Sequence, residues 1–251
     1  MSNKEKAPKA PKEPKAPKTG KNFFDKAWDF LGAVGRKPWV RICEIVIATL
    51  LVILLVFYCA AMLFAEKSGF SIAIEDNKKS KAAISLSESE DFSNPTVRLD
   101  AGGIESATNI RGSEIPTAFE KEGGSHNGKN YLAYTFYLKN AGSEAADIRS
   151  ELNIKSVFRG VDKAMRVRVY RNGKDTTYAR LAKTGVPEYG TVPFADEKTI
   201  FSVVDEGIQP NEIIKYTFVV WLEGDDDECQ DDIKGGTVEM SLTFSLENAE
   251  T

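Results

Sequence analysis

Six carboxylates crowd into eight positions at GDDDECQDD: Asp225, Asp226, Asp227, Glu228, Asp231 and Asp232. Like charges this close repel, and a hard divalent cation with oxygen ligands would relieve them, so calcium is the ion this segment suggests. The spacing is not that of an EF-hand, because Cys229 and Gln230 stand where an oxygen ligand and the invariant glycine belong. The competing reading is a solvated acidic turn that keeps one end of a sheet soluble. Elsewhere the chain offers little to catalysis. It holds one histidine, His126 in EGGSHNGKN, whereas a zinc-binding His-Glu-x-x-His helix needs two. A Ser-His-Asp relay would have to be built on that one loop residue. No Gly-x-Ser-x-Gly, Cys-x-x-Cys or phosphate-cradling glycine loop occurs. The residues therefore predict no catalytic site, no cofactor other than calcium, and no enzymatic activity of the chain's own.

The carboxylates need strands to hold them, and the second half of the chain supplies a period of two. Phe70, Ile72 and Ile74 alternate with polar residues, and residues 130–138 (NYLAYTFYL) are apolar on both sides, as a mid-sheet strand is. Over 147–156, Ile148, Leu152 and Ile154 share a face opposite Arg149, Glu151, Asn153 and Lys155. Segments 164–171 and 174–179 flank Asn172-Gly173, a strong hairpin signal because that turn needs φ > 0 at both positions. Segments 199–204 and 213–222 bracket EGIQPNE, and 237–246 alternates strictly. Residues 75–129, rich in Ser, Glu, Lys and Gly, are expected to hold two or three short strands, near Ile84 and Val97, and a mobile loop ending in EGGSHNGKN. Short strands with regular turns and no intervening helix predict an all-β, antiparallel, jelly-roll-like sandwich. One domain over 65–251 is long enough for an adequate core.

Ahead of that domain, residues 45–64 (IVIATLLVILLVFYCAAMLF) run for twenty positions without a charge, Pro, Gly or Asn. As a helix rising about 1.5 Å per residue, this length matches the roughly 30 Å hydrocarbon core of a bilayer. A transmembrane helix over 42–64 is expected. A cleaved signal peptide would carry a shorter apolar region behind a shorter head. Residues 1–44 carry 11 Lys/Arg against 5 Asp/Glu, net +6, and residues 65–251 carry 22 against 32, net −10. Cationic flanks stay cytoplasmic, so the expected topology is an uncleaved signal anchor with the C-terminal domain outside the plasma membrane. Residues 1–21 form a Lys/Ala/Pro tail, extended and disordered, whose seven lysines can approach anionic lipid or only reinforce topology. Residues 22–41 read as an amphipathic juxtamembrane segment, with Phe23, Phe24 and Trp28 on one helical face and Arg36, Lys37, Trp39 and Arg41 at headgroup level. Of three cysteines, Cys43 and Cys59 belong to the apolar segment. Cys229 is alone in the outer domain, where it reads as a small half-buried residue rather than a reactive thiol. The outer domain's −10 would repel phosphate, which excludes nucleic acid as a partner.

YTFYLKNAG at Tyr134–Gly142, VDKAMRVRVYRNG at Val161–Gly173 and WLEGDDDEC at Trp221–Cys229, with the following GG and MSLTFS, resemble TasA/camelysin-type surface proteins of Gram-positive bacteria. Within that family they are most similar to a membrane-tethered clostridial-type branch. The likeness spans roughly residues 130–246. It implies a jelly-roll ectodomain exported across a single membrane and, in some members, assembly into extracellular matrix fibres. It also implies a structural or binding role, with the cell wall, the matrix or TasA-like exported subunits as partners beside the lipid bilayer. Camelysin-like members have been called metallopeptidases; this sequence departs from them in lacking a zinc-binding histidine pair. From the fibre formers it departs in its long basic head and uncleaved span. In those relatives an N-terminal strand freed by cleavage is implied to complete a neighbour's sheet. Here the matching strand, in residues 65–80, stays joined to the span, so Phe70, Ile72 and Ile74 are expected to pack on their own domain.

Overall fold

The computed structural model describes residues 38–64, 69–104, 106–119 and 123–247, with the side chains of the first helix at 38, 39 and 42–58. The chain divides into two compact units, with the boundary after Ala65. In the first unit, Pro38–Phe64 form a 27-residue α-helix, α1. Proline suits a helix start because its missing N–H would have no intrahelical acceptor there. Along 42–58 every side chain is exposed, on all faces of the helix. Thr49 turns its hydroxyl back to the Ile45 carbonyl at 2.8 Å, so that hydroxyl is satisfied within the helix. Among the described residues, whose side chains in α1 run continuously only from 42 to 58, no helix is long and apolar enough to cross a membrane. Phe23, Phe24, Trp28, Arg36, Lys37 and the Lys/Pro tail lie outside the described residues.

The second unit is built from strands. In chain order these are β1 (Gly69–Ile74), β2 (Ile84–Ser87), β3 (Arg98–Asp100), β4 (Gly124–Ser125), β5 (Tyr131–Asn140) and β6 (Ala146–Phe158). Then follow β7 (Met165–Arg171), β8 (Lys174–Ala179), β9 (Val192–Pro193), β10 (Thr199–Ile208), β11 (Ile213–Leu222) and β12 (Thr237–Leu246). A six-residue helix, α2 (Lys78–Ala83), joins β1 to β2. One sheet has the order β10-β6-β12-β1-β3, the other β2-β5-β11-β7-β8-β9, and β4 also pairs with β5. The two inner faces share one hydrophobic core, so the unit is a mostly β, two-sheet sandwich. It is not wholly antiparallel: β1 runs parallel to β12, and β8 to β9.

The hairpin signal is realised, with Asn172 at φ 47° and Gly173 at φ 82° between β7 and β8. The segment after β10 does not fold back into a hairpin. β10 pairs with β6 in one sheet and β11 with β5 and β7 in the other, so the turn near Gln209 carries the chain between sheets. Of the two or three short strands expected in residues 75–129, the structure has three, β2, β3 and β4, and it adds α2. That helix is capped by Asn77, whose side chain accepts from the Ser80 N–H at 2.7 Å. The EGGSHNGKN segment is partly ordered by sheet pairing. Gly124 and Ser125 pair with Thr135 and Tyr134, and the His126 N–H donates to the Ala133 carbonyl at 2.7 Å. β5 is buried on both faces because residues 110–119 fold over it: Ile110, Ile115 and Phe119 pack on Ala133, Val219 and Trp221.

β1 packs in cis. Its Phe70, Ile72 and Ile74 are buried between β12 and β3, and the Phe70 ring lies 5.1 Å from that of Phe218 in the opposite sheet. Phe136 stacks on Tyr216 at 5.4 Å and meets Phe244 edge-on at 6.0 Å, fixing the sheets face to face. At one margin the Tyr216 hydroxyl donates to Asp205 at 2.8 Å, and Arg171 donates to the same carboxylate at 3.0 Å, linking β10 to β11 and β7.

Burial, followed by the Asp205 charge, pushes the Tyr216 hydroxyl above its ordinary 10.0, and burial with the Glu88 hydrogen bond does the same to Tyr134. Above that value the unfolded chain releases these protons while the folded protein keeps them. Their contribution is therefore full below pH 10 and is lost as pH rises beyond it. Thermal melts of 66–251 are expected to hold their midpoint up to about pH 9.5 and fall steadily above pH 10. Tyr216→Phe should start about 1 kcal/mol lower at neutral pH, through the lost hydrogen bond, and show a shallower alkaline decline.

Candidate functional site

The acidic turn follows β11, and its geometry comes from three neighbours. Glu223 accepts the Gly112 N–H at 3.0 Å and the Trp221 indole N–H at 3.1 Å, which fastens the 110–119 segment to the end of β11. A Cβ at Gly112 would sit 3.0 Å from the Glu223 carboxylate and 3.1 Å from the Trp221 ring, so a larger residue there would need one of them to give by a few tenths of an ångström. Ile110 and Glu223 form a short parallel bridge, with the Ile110 N–H on the Leu222 carbonyl at 2.9 Å.

Within the turn the six carboxylates part company. Asp226 points inward, its side chain 1% exposed, and accepts from Arg166 at 2.6 Å; Glu188 approaches the same guanidinium at 3.5 Å. The other Asp226 oxygen accepts the Glu228 N–H at 2.7 Å and closes the turn. Asp225 pairs with Arg111 at 3.0 Å, and Asp231 with Lys234 at 2.7 Å. Asp227 and Asp232 face solvent and Glu228 is half-buried. Among the described residues, no group of three or more His, Cys, Asp or Glu side chains converges as a metal site would require. A cation drawing on Asp226 would first have to displace Arg166. Cys229 is half-buried, and its sulfur accepts from the Asn109 amide at 3.3 Å.

Sequence reasoning found the cluster but missed the groups that organise it: Arg166, Arg111, Asn109 and Glu188. A signal for Arg166 was present. In MRVRVYR the valines take the inner face, so Arg166 and Arg168 must stand on the outer face of β7, a strand with neighbours on both sides. Once the 110–119 segment and the turn cover that face, each arginine needs a partner. Arg166 finds Asp226, and Arg168 lies 5.0 Å over the Trp221 ring while donating to Thr177 at 3.0 Å. His126 lies near Phe119, ring centroids 6.5 Å apart. Of the predicted interface residues, Trp39 is exposed and Arg41 falls in the first turn of α1. The site is thus an acidic turn braced on a buried ion pair, displaying Asp225, Asp227, Asp231 and Asp232 to solvent.

No protein-family model matches the chain, and no curated protein matches it. Among solved structures it is similar to a β-glucosidase from Kluyveromyces marxianus in complex with glucose, at 9% identity and a TM-score of 0.22, covering 70% of this chain and 17% of that one. It is also similar to the adhesin domain of Epf from Streptococcus pyogenes, at 10% identity and a TM-score of 0.19, covering 64% and 56%. The chain spans less than two thirds of either, and at these TM-scores neither likeness carries an argument.

Removing one partner of a buried pair strands the other charge. Asp226→Leu or Arg166→Met alone should destabilise 66–251 by roughly 3–5 kcal/mol in denaturant titration, and the double variant by much less. Calcium is tested by melting: binding at a hundredfold excess over the dissociation constant would add about 2.7 kcal/mol. With Asp225, Asp226 and Asp231 already paired to cations, the midpoint is expected to stay unchanged in millimolar calcium. A rise that Asp227→Asn blunts would establish the ion at this turn.

Proposed function

We propose that this chain is a single-pass surface protein. Its N-terminus lies in the cytoplasm, α1 in the plasma membrane, and its jelly-roll-like sandwich outside a Gram-positive-type cell. There it serves a structural or binding role at the wall or matrix, without enzymatic activity of its own. The observation that carries this reading is α1, uncharged from 45 to 58 and exposed there on every face. In water each Val, Leu, Ile or Phe of this run forgoes about 1.5–3 kcal/mol of burial, whereas hydrocarbon solvates it and leaves the helix's backbone hydrogen bonds intact. The charge asymmetry, net +6 before residue 45 and net −10 after residue 64, supports the orientation. The resemblance to tethered TasA/camelysin-type proteins supports the surface role, and the cis packing of β1 favours an anchor or terminus for exported subunits over a free fibre subunit.

The topology is tested by protease treatment of intact cells carrying separate epitopes at the two ends. The C-terminal epitope should vanish while a fragment with the Lys/Pro head survives. A head digested from outside, or a mature protein lacking residues 1–64, would overturn the proposal.

A further inference from the structure

Asn-Gly occurs twice in this chain, as Asn127-Gly128-Lys129 and Asn172-Gly173-Lys174, so the two residues after each asparagine are the same. The dipeptide carries a chemistry of its own. Glycine has no side chain to shield its amide nitrogen, and that nitrogen can attack the preceding carboxamide carbon to close a five-membered imide. The attack needs a glycine N–H that is unengaged and open to water. The tertiary structure treats the two triplets differently on that point.

At Asn127 the nucleophile is occupied. The Gly128 N–H donates to the Tyr131 carbonyl at 3.0 Å, and the Asn127 Oδ1 accepts the Ala133 N–H at 2.9 Å. The Tyr131 ring lies so close to Gly128 that a Cβ there would come within 2.2 Å of it. Freeing this nitrogen means opening the turn between β4 and β5. At Asn172 the nucleophile is open. The hydrogen bonds that close this two-residue turn belong to the flanking pair, Arg171 and Lys174, and the Gly173 N–H has no partner among the described residues. Both turn residues are exposed, and a Cβ at Gly173 would meet no atom within 4 Å. The Asn172 Oδ1 accepts the Lys215 N–H at 2.9 Å, a donor placed to take charge that develops on that oxygen. Each carboxamide oxygen thus holds one strand N–H, and the sites differ in the nucleophile.

We infer that Asn172 is a site of spontaneous deamidation and that the fold protects Asn127. Hydroxide takes the Gly173 amide proton, the nitrogen bonds to the Asn172 Cγ, and the charge passes to Oδ1 beside the Lys215 N–H. The Cγ–Nδ2 bond breaks, and Nδ2 leaves as ammonia with a proton from water, which regenerates hydroxide. A second water opens the imide at either carbonyl and leaves an aspartyl or an isoaspartyl residue. Either product puts a negative charge at the hairpin tip between Arg171 and Lys174. The isoaspartyl form also adds a backbone atom to a turn whose closure depends on its length. The step lies within the outer unit and does not depend on where α1 resides.

Unit 66–251 holds its own closed core and serves for the test. It is incubated in mildly alkaline buffer, and chymotryptic peptides 120–131 and 171–178 are followed by mass spectrometry against an unincubated control. The mass gain of amide-to-acid conversion is expected at Asn172 at least tenfold faster than at Asn127, as both aspartyl and isoaspartyl product. In the same buffer with denaturant the two rates should converge to within about twofold, because only the fold distinguishes the triplets. The inference is overturned by any of three results: a ratio below tenfold in the folded unit, a ratio that unfolding leaves in place, or aspartyl product alone, which would mean direct hydrolysis without Gly173.

Discussion

Two sheets remain face to face only if both inner surfaces are apolar over the same stretch, and here aromatic rings make the contact. Phe136 in one sheet meets Phe244 in the other, Phe218 meets both Phe70 and Phe201, and Tyr216 packs against Phe244. These rings come from β5, β11, β12, β10 and β1, strands far apart in sequence, so the core forms only when the whole topology is in place. β1 is essential to it. Without Phe70, Ile72 and Ile74, β12 would lose its parallel partner and the core one of its aromatic contacts. The chain meets that need from its own first strand, which leaves β12 with no open edge.

The outer surface of the second sheet obeys a different constraint. Residues 110–119 cover part of it, and covering a sheet face buries whatever alternates outward. Thr135 and Thr217 answer by hydrogen-bonding each other at 2.8 Å, and Arg166 answers with Asp226. The acidic turn therefore has two parts with different physics. One carboxylate is a fixture of the fold, while the exposed ones set the charge that a partner would meet. A segment that looked like a uniform patch of negative charge is partitioned by the strand next to it.

The exposed edges are managed rather than sealed. β10 is ten residues long and has one neighbour, β6, but its pairing is broken by irregularities near Ile200 and between Asp205 and Ile208. Bulges twist an edge away from flat pairing, and Asp205 and Glu206 place charge on the same stretch. At the other margin β3 has three residues, too short to template a further strand. Such an outer unit presents loops and turns to its surroundings more readily than a bare strand.

Local pattern alone determined much of this protein. The period of two marked β1, β6 and β12, the two-sided apolar run marked β5, the Asn-Gly dipeptide marked the β7–β8 hairpin, and the uncharged run marked α1, because each depends on residues adjacent in the chain. The stretch 75–129 was poorly legible: α2 is only six residues long and its signal is a single asparagine cap. The 110–119 segment is ordered by contacts with Trp221 and Glu223, about a hundred positions away. Sheet membership, the parallel pairing of β1 with β12 and the inward turn of Asp226 were decided by tertiary structure. Alternation tells a strand which side is apolar, whereas pairing partners and the burial of a charge depend on which distant surface arrives to cover it.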